Sequence, residues 1–142
     1  MNHNNYPEDY ISGILERVKT IALVGASNNE LRPSHSVMNF LLSKGYEVIP
    51  VNPGLAGGTL FGQQAYAALR DIPKPVDMID IFRNSAAAGG IVDEALSLMQ
   101  KPLVIWMQLG VRDDAAAARA EAKGVKVVMN RCPAIELLKR ES

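Results

Sequence analysis

Residues 21–27 of the chain read IALVGAS, a run of four apolar residues followed by a glycine and two small residues. A short apolar run that ends at a glycine is typical of a strand buried on both faces of a parallel sheet. Apolar residues at helical spacing predict a helix before this strand, to about residue 19, and another after it, over residues 36–43. A buried strand between two helices is the pattern of an α/β protein.

The same unit recurs along the 142-residue chain. Further strands are predicted over residues 47–51, 76–82, 103–107 and 125–129, and further helices over residues 63–70, 86–99, 113–123 and 133–138. Residues 55–62 are rich in glycine and are predicted to form a loop. This alternation predicts a Rossmann-like three-layer sandwich with a five-stranded parallel sheet. The length suits one domain, which we expect to span residues 1–142.

Composition excludes several classes of function. Fifteen basic and fifteen acidic residues give a net charge of zero, which argues against binding to nucleic acid or to a membrane surface. No apolar run approaches the roughly 20 residues that span a bilayer. The N-terminus is polar and resembles no signal peptide, and a lone cysteine, Cys132, cannot form an intramolecular disulfide. We therefore expect a cytoplasmic protein.

The loop after the first strand is the first candidate site, because open parallel sheets bind ligands at the carboxyl ends of their strands. Gly25 permits a tight turn, and the small residues Ala26 and Ser27 leave room for a phosphate. The next helix begins near Ser34, where free N–H groups and the helix dipole favour an anion, and Arg32 adds a cation. The alternative is a plain strand-to-helix turn with a serine cap.

Two features bear on the identity of the ligand. The dinucleotide fingerprint GxGxxG is absent, since no second and third glycine follow Gly25 at the required spacing. The second strand ends in Val51, Asn52 and Pro53, without the carboxylate that usually holds the ribose of NAD. These features disfavour NAD and suit a cofactor whose ribose carries a phosphate, namely coenzyme A or NADP.

Taken together, the loops resemble those of the CoA-binding domain family, whose members are free-standing relatives of the N-terminal domain of the succinyl-CoA synthetase α subunit. The matching stretches are residues 21–27 (IALVGAS), 41–53 (LLSKGYEVIPVNP), 76–82 (VDMIDIF), 104–110 (VIWMQLG) and 125–132 (VKVVMNRC). The resemblance covers roughly residues 10–138 and implies coenzyme A as the ligand.

The resemblance also implies a role for particular residues. The pyrophosphate would be lined by Val24, Gly25, Ala26 and Ser27, and Arg32 and Ser34 would complete its pocket. The adenosine would be bordered by Val51, Asn52 and Pro53. The cofactor would cross the third strand at Phe82 and Arg83, and its pantetheine would contact Trp106, Gln108 and Gly110.

Each of these residues has a structural alternative. Trp106 and Phe82 lie in apolar strands and are candidates for the core. Arg83 and Arg131 are candidates for solvated surface charges, and Asn52 for a turn residue before Pro53.

Catalytic residues are not evident in the sequence. The two histidines, His3 and His35, follow no glycine-rich loop that suits a phosphorylated nucleophile. Cys132 precedes a helix whose dipole favours a thiolate, but no base accompanies it, so we expect an inert thiol. No residues have metal-ligand spacing. Three hypotheses follow: a non-catalytic carrier or sensor of coenzyme A or acyl-CoA, an NADP- or other nucleotide-binding enzyme or subunit, and an interaction protein with an empty pocket.

Overall fold

The computed structural model describes residues 1–141, and within this range five strands form one parallel sheet. These strands are β1 (Thr20–Val24), β2 (Glu47–Val51), β5 (Met78–Ile81), β6 (Val104–Met107) and β7 (Lys126–Val128); β3 (Thr59–Leu60) and β4 (Gln63–Gln64) form a separate antiparallel pair. The spatial order in the large sheet is β2-β1-β5-β6-β7. The predicted Rossmann-like α/β fold is therefore confirmed.

Helices cover both faces of the sheet. They are α1 (Glu8–Arg17), α2 (Pro33–Ser43), α3 (Ser85–Ser97), α4 (Asp114–Ala122) and α5 (Pro133–Glu141). Successive side chains of a strand point to opposite faces, so each strand contributes to two cores. On one face Ala22, Ile79 and Ile105 pack with α3 and α4. On the other face Leu23 and Trp106 pack with α1, α2 and α5.

Helix α3 forms despite the Gly89-Gly90 pair inside it, as the sequence predicts. Its first turn is capped by Asn84, whose side chain accepts a hydrogen bond from the N–H of Ala87. A Cβ at Gly89 would lie 3.0 Å from the carboxylate of Asp113, the residue that caps α4. Glycine therefore allows the start of α4 to approach α3 closely, which offsets its poor helix propensity.

The predicted helix over residues 63–70 is wrong. Here the chain forms β4, then runs beside the end of β2: the N–H of Tyr66 donates to Pro50 O, and the N–H of Asn52 donates to Tyr66 O. β2 lies at an edge of the sheet, and these bonds satisfy backbone groups that the edge would otherwise expose. A short 3₁₀ helix, Leu69–Asp71, follows. Tertiary pairing has overridden local helix propensity.

Candidate functional site

A cleft of about 530 Å³ opens at the carboxyl edge of the sheet. It lies between the loops that follow β1 and β5, where the strand order reverses and where this fold binds its ligands. We call it the edge cleft; its lining is Val24, Gly25, Ala26, Ser27, Arg32, Pro33, Ser34, Val51, Asn52, Pro53, Ala67, Ala68, Leu69, Phe82, Arg83, Ile91 and Glu94.

The turn after β1 depends on Gly25. Its φ is +95°, and a Cβ built there would lie 2.5 Å from the carbonyl oxygen of Phe82. The N–H groups of Gly25 and Ala26 both donate to Val51 O, at 3.0 and 3.4 Å. These two amides therefore form hydrogen bonds to the neighbouring strand β2, and the turn packs against the end of that strand.

The loop between β1 and α2 is held by its own side chains. The hydroxyl of Ser27 accepts a hydrogen bond from the N–H of Asn29 at 3.0 Å, and the side chain of Asn29 accepts one from the N–H of Leu31 at 3.0 Å. The N–H of Arg32 then donates to Asn29 O. This chain of turns carries the backbone from the sheet to the start of α2.

The cationic end of the edge cleft, formed by Ser27, Arg32 and Ser34, is arranged for an anion. Helix α2 begins at Pro33 without a side-chain cap. Ser34 is only 4% exposed, yet within residues 1–141 its hydroxyl has no hydrogen-bond partner. The guanidinium of Arg32, and that of Arg83 in the adjacent loop after β5, likewise form no ion pair in the described chain. A helix N-terminus, an unpartnered hydroxyl and two unpaired cations together fit a phosphate-bearing group.

The other end of the edge cleft, which we call the apolar end, is lined by Ala67, Ala68, Leu69, Ile91 and Glu94. It lies on the face of the sheet that α3 covers, opposite to the face covered by α2. Sequence reasoning missed Ala67, Ala68 and Leu69 because it placed residues 63–70 in a helix, and it missed Ile91 and Glu94 because they resemble ordinary residues of α3. The overlooked signal is Phe61-Gly62, a two-residue turn in which both residues have positive φ and which joins β3 to β4.

The structure brings most of the predicted residues together. Those assigned to the pyrophosphate, the adenosine and the crossing of the third strand all line the edge cleft. Asn52 also contributes to the structure of the cleft, because its amide nitrogen donates to Ala26 O at 2.7 Å and its amide oxygen accepts from the N–H of Gly54 at 2.8 Å. It therefore ties the loops after β1 and β2 to each other.

The residues assigned to the pantetheine are not part of this cleft. Trp106 is fully buried, and its indole N–H donates to Arg131 O at 2.9 Å. A side chain without exposed surface cannot contact a ligand in this arrangement, so the core alternative applies to Trp106. Gln108 is 7% exposed, and Gly110 donates its N–H to the side chain of Asn130.

Other candidate groups lie away from the edge cleft. Cys132 is 5% exposed and packs between the sheet and the helices of its face. The guanidinium of Arg131 lies over the ring of Tyr6, 5.2 Å from its centroid, and the ring of His35 packs on Phe61. Among the described residues no His, Cys, Asp or Glu cluster could hold a metal ion, and no helix is long and apolar enough to cross a bilayer.

A buried carboxyl lies beneath this edge of the sheet. Asp80 in β5 is fully buried, and neither of its side-chain oxygens has a hydrogen-bond partner up to residue 141. Its strand neighbours in register are Leu23 and Trp106. Burial raises the pKa of the Asp80 carboxyl well above its ordinary value, because desolvation disfavours the charged form.

Comparison with known proteins identifies a family and similar folds. Residues 19–137 match the protein family described as CoA binding domain. The uncharacterized protein YneT of Bacillus subtilis is 37% identical over 122 residues, which cover 86% of this chain and 87% of that protein. A hypothetical protein from Pyrococcus horikoshii OT3 has a TM-score of 0.90 and 32% identity, with 98% of this chain and 95% of that one covered.

A larger protein shares the fold. The apo form of a dinucleotide-forming acetyl-coenzyme A synthetase 1 from Ca. Korarchaeum cryptofilum has a TM-score of 0.63 and 25% identity. The similarity covers 77% of this chain but 25% of the synthetase chain.

Proposed function

The chain belongs to the CoA binding domain family, and we propose that its edge cleft binds coenzyme A or an acyl-CoA without reacting with it. The protein would then act as a carrier or sensor, as a single domain in the cytoplasm. The cleft's ionisable side chains support the non-catalytic part of this proposal. They are Arg32, Arg83 and Glu94, whereas the thiol of Cys132 and the imidazole of His35 lie outside the lining.

The observation that carries the proposal is the cationic end of the edge cleft. Coenzyme A presents a diphosphate and a ribose phosphate, which need cations and N–H or O–H donors. The N-terminus of α2, together with a Ser34 hydroxyl and Arg32 and Arg83 guanidinium groups that have no partner among residues 1–141, supplies both. Hydrogen bonds between such charged groups are about twice as strong as neutral ones.

Thermal unfolding with added ligands tests the proposal. A ligand that binds only the folded protein raises the melting temperature by mass action, so coenzyme A and acetyl-CoA should each raise it. NAD and ATP should have a smaller effect. If NADP raises the melting temperature and coenzyme A does not, the alternative of an NADP-binding enzyme or subunit replaces this proposal. If no ligand raises it, the result favours the alternative of an interaction protein with an empty pocket.

The substitution Ser27→Asp locates the site. An aspartate can still accept the hydrogen bond from the N–H of Asn29, so the turn is retained while a negative charge is added beside the phosphates. We expect coenzyme A to bind about tenfold or more weakly, because like charges oppose each other across an interface. The control is Ser12→Asp on α1, outside the cleft, which should bind like the wild type. Equal affinity of both variants would place the ligand elsewhere.

The absence of catalysis needs its own measurement. Acetyl-CoA incubated with the protein should be recovered unchanged, with no free thiol released above the rate in buffer. Protein-dependent release of the thiol would contradict a role limited to carrying or sensing.

A further inference from the structure

The geometry points to Glu94 as the residue that selects the base of the bound cofactor, by accepting a hydrogen bond from the exocyclic amino group of adenine. This inference rests on the proposed function, since it concerns the end of the same cleft that the phosphates do not occupy. It adds a specificity-determining residue that the sequence does not suggest.

The two ends of the edge cleft differ in charge. The cationic end contains Arg32, whereas the apolar end contains the carboxylate of Glu94; Arg83 also lines the cleft. A phosphate at the apolar end would lie beside the Glu94 carboxylate and compete with it for the Arg70 guanidinium, which is unfavourable. The apolar end therefore takes a neutral part of the ligand that carries a hydrogen-bond donor.

The walls of the apolar end suit a flat ring. The side chains of Ala67, Ala68 and Ile91 carry no hydrogen-bonding groups, and the buried Leu69 packs behind them. They offer apolar contact, and Glu94 is the polar side chain among them. A heteroaromatic base with an amino group matches this combination.

The backbone places this end next to the ribose position. In sheets of this type the end of the second strand meets the ribose of a nucleotide. Tyr66 bridges to Val51 at the end of β2, and the N–H of Asn52 donates to Tyr66 O at 2.9 Å. Residues 67–69 therefore continue directly from the ribose position, on the side away from the cationic end. A base attached to that ribose falls against them.

Glu94 is held ready to accept a further hydrogen bond. Its Oε2 accepts from the guanidinium of Arg70 at 3.1 Å and from the N–H of Arg70 at 3.3 Å. Within the described residues its Oε1 has no partner. The Arg70 side chain is 73% exposed, and a pair this exposed adds little to stability. What the pair does achieve is to fix the orientation of the carboxylate beside the cleft, and an acceptor fixed in advance loses less entropy on binding.

The decisive ligand pair is coenzyme A and its analogue in which hypoxanthine replaces adenine. The analogue has a carbonyl oxygen in place of the amino group, so it offers an acceptor where Glu94 requires a donor. Hydrogen bonds to charged groups contribute enough that the wild type should bind coenzyme A about tenfold or more tightly than the analogue. Isothermal titration of each ligand measures both affinities.

The variant Glu94→Gln should reduce this preference to less than about threefold, because a glutamine amide can turn to donate to the carbonyl. The matched control is Asp93→Asn on the same helix, since Asp93 pairs with Arg119 and does not line the cleft. It should keep the wild-type preference. Equal binding of the two ligands by the wild type, or an unchanged preference in Glu94→Gln, overturns the role of Glu94 and leaves the proposed function standing. A wild type that binds neither ligand overturns both.

Discussion

The substitution Gly25→Ala should destabilise the protein at the turn that forms the floor of the edge cleft. Two effects act there. The φ of +95° is unfavourable for a residue with a Cβ, and the added Cβ would meet three atoms of Phe82: O at 2.5 Å, C at 2.9 Å and Cβ at 3.2 Å. The first two atoms belong to backbone that is held by the hydrogen bond from the N–H of Phe82 to Val24 O. The loop after β5 must therefore move away.

Gly45 separates the two effects. Its φ is +94°, but a Cβ there would have no heavy atom within 4 Å. Gly45→Ala should therefore show only the conformational cost of a positive φ. The net loss of stability is about 1 kcal/mol, because alanine also lowers the entropy of the unfolded chain and so offsets part of that cost. Gly25→Ala adds the displacement of Phe82, for which overpacking costs of about 1–3 kcal/mol are typical. We expect a total loss of about 2–4 kcal/mol for Gly25→Ala.

Urea unfolding of the wild type and both variants measures these losses of stability. The dependence of the unfolding free energy on urea concentration should be the same for all three proteins. Titration with coenzyme A on the folded variants should show weaker binding for Gly25→Ala, because Phe82 and the turn both line the edge cleft. Gly45→Ala should bind like the wild type. If the two variants lose equal stability, Gly25 is not in close contact with Phe82, and the geometry of the turn described above is incorrect.

Two further predictions concern buried side chains. Because the pKa of Asp80 is raised in the folded protein, the wild type should lose stability as the pH rises from about 4 through that pKa. Asp80→Asn should not show this loss, so the difference in unfolding free energy between the wild type and this variant should change by up to about 1.4 kcal/mol per pH unit in that range. Urea unfolding at several pH values measures this difference. A difference that stays constant with pH would argue against a buried carboxyl. Trp106→Phe removes the hydrogen bond to Arg131 O and should cost about 1–3 kcal/mol in unfolding free energy, with affinity for coenzyme A within about twofold of the wild type. A loss of affinity above about tenfold in the folded variant would place Trp106 near the ligand after all.

Local sequence was sufficient for those features that depend on neighbouring residues. Apolar runs that end at glycine or at polar residues predict the strands of the large sheet, and β2 is found at the predicted residues, Glu47–Val51. The turn after β1 follows from Gly25, because its positive φ is accessible to glycine at little cost. Ligands of open parallel sheets bind at the carboxyl ends of the strands. The residues that follow β1 in the sequence, including Arg32 and Ser34, were therefore candidates for the site.

Three features depended on contacts between distant parts of the chain, and there the sequence was insufficient or misleading. Residues 63–70 resemble a helix in composition but pair with the edge of β2 through Tyr66, a contact that no local pattern reveals. Trp106 fits either a core or a ligand site in the sequence, and only its complete burial beside Leu23 and α5 decides between them. Glu94 resembles an ordinary helix residue until the folded chain brings Arg70 and residues 67–69 to it.

The amino-acid sequence by itself determined the class of fold, the turn after the first strand and the presence of cationic and hydroxyl side chains near the second helix, since each arises from residues close together in the chain. Tertiary structure decided the order of the strands, and with it the point between the loops after β1 and β5 at which the edge cleft opens. It also decided that α3 closes the far end of that cleft with Glu94. The reason is physical: strand order and helix placement are set by the packing of two apolar cores across a shared sheet, and that packing depends on the whole chain at once.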